Sequence, residues 1–153
     1  MVLDARGLDD RGAAENGDAC AGVITEAAQT EVEELTLRSI RSAGEMFEDP
    51  EQFERLAKYH GDNARWVLRA WVDSWLADAF RDWKLDEDLC RVHCPVLAIH
   101  GSRDEYGSAR QPQRIVELTP GPATSCMLED CGHVPHREMP ALVLEQIATW
   151  LAG

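Results

Sequence analysis

The chain has 153 residues, with 15 Lys and Arg against 28 Asp and Glu and a formal charge of −13. Hydrophobic residues make up 44% and charged residues 28%, a globular balance that excludes wholesale disorder and low-complexity architecture. The acidic excess repels a phosphate backbone, which removes nucleic acid as a partner class, and no apolar run is long enough to span a bilayer.

Residues 1–20 mix Gly, Ala, Asp and Arg without any period and read as a disordered leader. They show neither the basic nor the apolar region of a secretory signal, so the chain reads as cytoplasmic. The five cysteines (Cys20, Cys90, Cys94, Cys126, Cys131) are an odd number in that setting and read as free buried thiols rather than a disulfide framework.

Residues 21–29, AGVITEAAQ, hold a short β-branched run without strict alternation, as expected of a core strand buried on both faces. From Thr30 to Phe47, apolar residues at Val32, Leu35, Leu37, Ile40, Ala43 and Phe47 follow a near-helical period. Asp49 then precedes Pro50, with Gln52 three residues after the cap, which predicts a second helix through Phe53, Leu56 and Ala57. Gly61 stops it. Asp62 is placed to cap a third helix carrying Val67, Ala70, Trp71, Trp75 and Leu76, reaching about Ala79. Residues 30–85 are thus expected to be all helical, with Trp71 and Trp75 in its core.

Residues 86–153 change to strand and helix in alternation. CPVLAIHG predicts a buried strand from Pro95 to His100, closed by Gly101, and SARQPQRIVELT a helix ending before Pro120. Thr124 to Glu129 predicts another strand, and after a loop a closing helix presents Leu144, Ile147, Ala148 and Leu151 on one face. Strands separated by helices imply a parallel sheet with right-handed crossovers, so the carboxyl ends of both strands point the same way.

Catalytic groups in open α/β sheets gather just beyond those ends. Two loops lie there, residues 101–108 with Asp104 and residues 130–136 with His133. An Asp that accepts the Nδ1 proton of a His fixes its tautomer and stabilises the imidazolium formed when Nε2 takes a proton. Asp104 and His133 are the candidate pair. Asp104 alone also fits a turn former, Arg103 and Glu105 fit loop-bracing charges, and His136 fits a loop histidine bonded to backbone. Cys90, His93 and Cys94, and Cys131 with His133 and His136, lack the spacing of a structural zinc site. Neither metal nor cofactor is expected.

These residues carry a resemblance. CPVLAIHGSRDEYGS resembles the strand, Gly and catalytic acid of the α/β-hydrolase fold family, which implies the acid at Asp104. LEDCGHVPHRE-x-P resembles the family's strand, Gly-His loop and closing helix, which implies the base at His133. The resemblance runs from about Ala21 to Gly153 and implies an α/β fold: a partial, mainly parallel sheet with flanking helices, residues 30–85 as a helical cap segment, and residues 86–153 as the C-terminal core. The implied chemistry is hydrolysis of a small-molecule ester or acyl-type substrate by a serine hydrolase. The departure is equally definite. No serine (Ser39, Ser42, Ser74, Ser102, Ser108, Ser125) sits in the family's G-x-S-x-G elbow. Asp18-Ala19-Cys20-Ala21-Gly22 imitates it poorly, since a polar leader precedes and a strand follows. No nucleophile is found, so the expectation is a truncated hydrolase. The alternative is a non-catalytic fragment or subunit that binds an apolar ligand, a second copy or an upstream partner chain.

Overall fold

The computed structural model describes residues 20–153, so the leader expected over 1–20 lies outside the described residues except for Cys20. The chain divides into two compact units, one containing the residues up to Glu31 together with Lys84–Gly153, the other Val32–Trp83.

The first unit is built on a three-stranded sheet in the order β1 (Val23–Glu26), β2 (Val96–Gly101), β3 (Ala123–Leu128). Both pairings are parallel, with Val23 opposite Val96 and Val96 opposite Ala123. All of β2 is buried because it has a strand on each side and helices over each face. β3 exposes Thr124, Ser125 and Met127, as an edge strand does. Prolines mark the entries. The N–H of Val23 donates to the Pro95 carbonyl and that of Val96 to the Pro122 carbonyl, so each proline closes the ladder as an acceptor without being asked to donate.

Alternate residues of β2 serve opposite layers. Leu97 and Ile99 join Leu128, Cys131 and Val143 in a core completed by Leu142, Ile147 and Trp150. The other face lies over Leu89, Val92 and Ile115, which surround Val96, Val23 and Thr25.

The second unit comprises three helices, α1 (Glu34–Met46), α2 (Pro50–His60) and α3 (Ala64–Leu76). Asp49 caps α2 by accepting from the N–H groups of Glu51 and Gln52 at 2.9 and 3.1 Å, and Gly61 ends it in the left-handed region. Three expectations need correction. Residues 30–33 are not helical, because Gln111 takes the N–H groups of Thr30 and Glu31 on its side-chain oxygen and Glu31 bridges to Lys84. Asp62 does not cap α3, since it lies inside a 3-10 turn at Gly61–Asn63. Trp71 and Trp75 are only half-buried, and Trp75 instead meets Phe80 and Trp83 edge-on, at 5.2 and 5.8 Å between rings.

After the second unit the chain forms a short α4 (Asp86–Leu89), β2, α5 (Arg110–Leu118) and β3. It then makes a single turn, α6 (Pro135–Glu138), ahead of the closing α7 (Pro140–Leu151).

Candidate active site

The carboxyl ends of β2 and β3 each run into a loop, and the two loops are sewn together by backbone. Ser102 N–H donates to the Leu128 carbonyl and Arg103 N–H to the Cys131 carbonyl at 2.9 and 2.8 Å, and Asp130 N–H returns to Ser102 Oγ at 3.0 Å. Gly101 permits this approach. A Cβ at that position would collide with the carbonyls of Cys131 and Gly132, which are backbone and cannot swing aside. The glycine that closes β2 is therefore what brings the segment ahead of His133 down onto the strand end.

Asp104 and His133 meet there. His133 Nδ1 lies 3.0 Å from Asp104 Oδ1 and 2.9 Å from Oδ2. Oδ1 also accepts the N–H groups of Tyr106 and Gly107 at 2.8 and 3.2 Å. Asp104 is thus a turn former and the partner of His133 at once; the two readings of the residue are compatible. Its side chain has no exposed surface. Burial penalises the ionised carboxyl, but the hydrogen bonds from His133 and from Tyr106 N–H, with the nearby His133 and His100 rings, outweigh it and hold the group below the usual carboxylate range. An ionised carboxylate only accepts, so Nδ1 of His133 carries the proton and Nε2 of the neutral ring keeps its lone pair. Among the described residues Nε2 has no hydrogen-bond partner, and the side chain is 26% exposed.

Two neighbours complete the setting. Tyr106 lies against the His133 ring, 4.8 Å between centroids, which restricts imidazole rotation. His100, fully buried on β2, donates from Nε2 to the Gly107 carbonyl at 2.9 Å and comes within 3.4 Å of Asp104 Oδ2. Sequence reading missed both. Tyr106 two residues after an Asp was a usable signal for an Asx turn, whereas nothing in the pattern of β2 distinguishes His100 from its apolar companions.

The remaining candidates resolve differently. His136, expected to bond backbone as a loop histidine, instead meets the Glu26 carboxylate, Nδ1 to Oε2 at 2.9 Å, at the tip of β1. Arg103 pairs with Asp130 at 2.6 Å on the surface, where Asp130 takes a left-handed conformation. Cys131 is fully buried, and burial first, then the charges of Glu138, Asp104 and Glu26, pushes its thiol up, away from the reactive thiolate. Cys94, buried just ahead of β2, is pushed up to about 11 by burial and by Cys20 beside it. The expectation of buried thiols holds for these two; Cys20 and Cys126 are half-buried and Cys90 is exposed. Among the described residues, no three His, Cys, Asp or Glu side chains gather as a metal site. No described helix is long and apolar enough to cross a membrane.

No family model and no curated protein matches this sequence. Solved structures do. A membrane phospholipase A described as a bacterial virulence factor superposes with a TM-score of 0.72 at 19% identity over 94% of this chain. An esterase from a Rhodococcus species gives 0.60 at 25% identity over 92%, and an alpha/beta hydrolase from a deep-sea metagenome library gives 0.62 at 12% identity over 94%. The chain spans 53%, 59% and 60% of the lengths of those three.

Proposed function

We propose that this chain, which has the α/β-hydrolase fold over the portion it spans, carries the acid–base arm of a hydrolase acting on a small-molecule ester or related acyl compound. His133 Nε2 takes the proton of a nucleophile as it attacks the acyl carbon and returns it to the leaving group; Asp104 orients the ring and balances the imidazolium. The observation that carries this reading is the Asp104–His133 contact at 2.9 Å with Nε2 unpartnered among the described residues. The nucleophile belongs to the part of the fold that the solved structures have and this chain does not span, and residues 30–85 are assigned the role of a substrate-selecting cap. Without a nucleophile and its oxyanion donors, the chain by itself turns over little or no ester.

A chimera tests this. The missing portion of a solved esterase of this fold, through its nucleophile elbow, is joined ahead of β1. Hydrolysis of short p-nitrophenyl esters that disappears in the His133→Ala variant supports the proposal. A folded chimera with an intact elbow whose activity ignores that substitution refutes it.

A second reading, a non-catalytic subunit, draws on one feature: among the described residues β1 pairs only with β2, leaving its other edge open to a further strand. Sedimentation distinguishes it. A monomer across the micromolar range removes self-association from consideration.

A further inference from the structure

The histidine loop is held by something other than Asp104. His133 lies in a segment with no regular structure, yet the backbone on either side of it is tied down by a single side chain. Glu138 Oε2 accepts the N–H of Gly132 at 2.7 Å, and Oε1 accepts the N–H of Val134 at 3.1 Å. These are the residues immediately before and after the imidazole. The carboxylate reaches back because Val134–Glu138 closes one helical turn, with the N–H groups of Arg137 and Glu138 on the Val134 carbonyl and Pro135 supplying a fixed φ at its start. Gly132 leaves room for it: a Cβ there would press on the Glu138 oxygens at 2.9 and 3.0 Å.

A second carboxylate secures the middle of the same turn. Glu26, buried at the end of β1, accepts the His136 N–H at 3.1 Å and the His136 Nδ1–H at 2.9 Å through Oε2. A carboxylate on a buried strand must be paired, and here the partner is the loop. Three backbone N–H groups from Gly132 to His136 therefore end on two acidic side chains, while the imidazole of His133 bonds to Asp104.

We propose that Glu138, with Glu26 as second anchor, is a positioning residue for His133: it clamps the backbone on both sides so that the imidazole stays in register with Asp104. This rests on the reading of Asp104 and His133 as an acid–base pair. It also predicts a division of labour in which Asp104 fixes the tautomer and Glu138 fixes the place. Charge-assisted bonds to the two N–H groups flanking His133 restrain the loop at both points, which a neutral side chain with one acceptor oxygen cannot do.

Proton NMR of the full chain reads this directly through the downfield Nδ1–H resonance of His133, alongside amide exchange at Gly132 and Val134. Glu138→Ala is expected to broaden the downfield signal beyond detection and to speed exchange at both amides by about tenfold or more, with circular dichroism unchanged. Glu138→Gln, whose amide oxygen serves only one of the two N–H groups, is expected to protect one amide and weaken the signal. An Asp49→Ala variant, which loosens α2 in the second unit, should leave the signal alone. The positioning claim is overturned if Glu138→Ala folds and keeps the wild-type signal and protection. Should that variant fail to fold, an unchanged signal and unchanged exchange in Glu138→Gln overturn it equally. The two ideas fail separately: absence of the resonance in the wild type defeats the acid–base pair itself, whereas a signal lost in Asp104→Asn but indifferent to Glu138 defeats only the clamp.

Discussion

Asp104 meets the His133 ring, the N–H groups of Tyr106 and Gly107 and the buried His100 ring, and its stability contribution follows from them. Its carboxyl titrates below the usual value of about 3.9. A carboxyl depressed on folding stabilises the fold above its unfolded value and loses that contribution as pH falls through its folded value. Urea unfolding of wild type and Asp104→Ala should therefore differ by about 2–3 kcal/mol at neutral pH, the cost of stranding buried donors, and the gap should narrow below about pH 4. A gap that stays constant down to about pH 2 contradicts this assignment. Asp104 and His133 were legible in the sequence because each follows a strand end at a short fixed distance. Glu138 was not, because its partners are the backbone N–H groups of Gly132 and Val134, and a residue that serves main chain leaves no pattern of matching side chains; Glu26 was not, because its partner His136 lies 110 residues away.

At the scale of elements, the two βα units were readable from the alternation of buried runs with helical spacing, and the parallel register follows. What failed was local competition. Asp62 has the chemistry of a cap, but the 3-10 turn at Gly61–Asn63 takes it inside before α3 begins. Thr30 and Glu31 fit a helical period, but Gln111 from α5 offers their N–H groups a better partner from 81 and 80 residues away. Tryptophan spacing suggested a core in α3, yet only Ala64 of that helix is buried. Asp49, by contrast, caps as its sequence implies, and Asp49→Ala should cost about 1 kcal/mol in thermal unfolding. Gly101→Ala should cost more, about 3 kcal/mol, because the added methyl meets backbone at the loop crossing. It should also separate Asp104 from His133. A Gly101→Ala variant of wild-type stability would show that the crossing yields more easily than its geometry implies.

Across the whole molecule, the described residues bring Asp104 and His133 into contact but contain no G-x-S-x-G segment, and the chain spans 53–60% of the length of the hydrolase-fold structures it matches. Fold was accessible from sequence because burial and period act through many residues at once. Substrate was not, because it depends on side chains whose arrangement no period encodes. The chemistry assigned to the molecule needs its two loops to deliver one imidazole with the proton on Nδ1 and a lone pair on Nε2. Nitrogen-15 NMR of the His133 ring, recorded on wild type and Asp104→Asn, measures this. In the variant, the introduced amide oxygen stays with the N–H groups of Tyr106 and Gly107, and the NH2 group takes the Oδ2 position 2.9 Å from Nδ1, where it donates to the ring and favours the proton on Nε2. The predicted result is an Nδ1–H ring in the wild type and an Nε2–H ring in Asp104→Asn. The same tautomer in both proteins, or Nε2–H in the wild type, would contradict it.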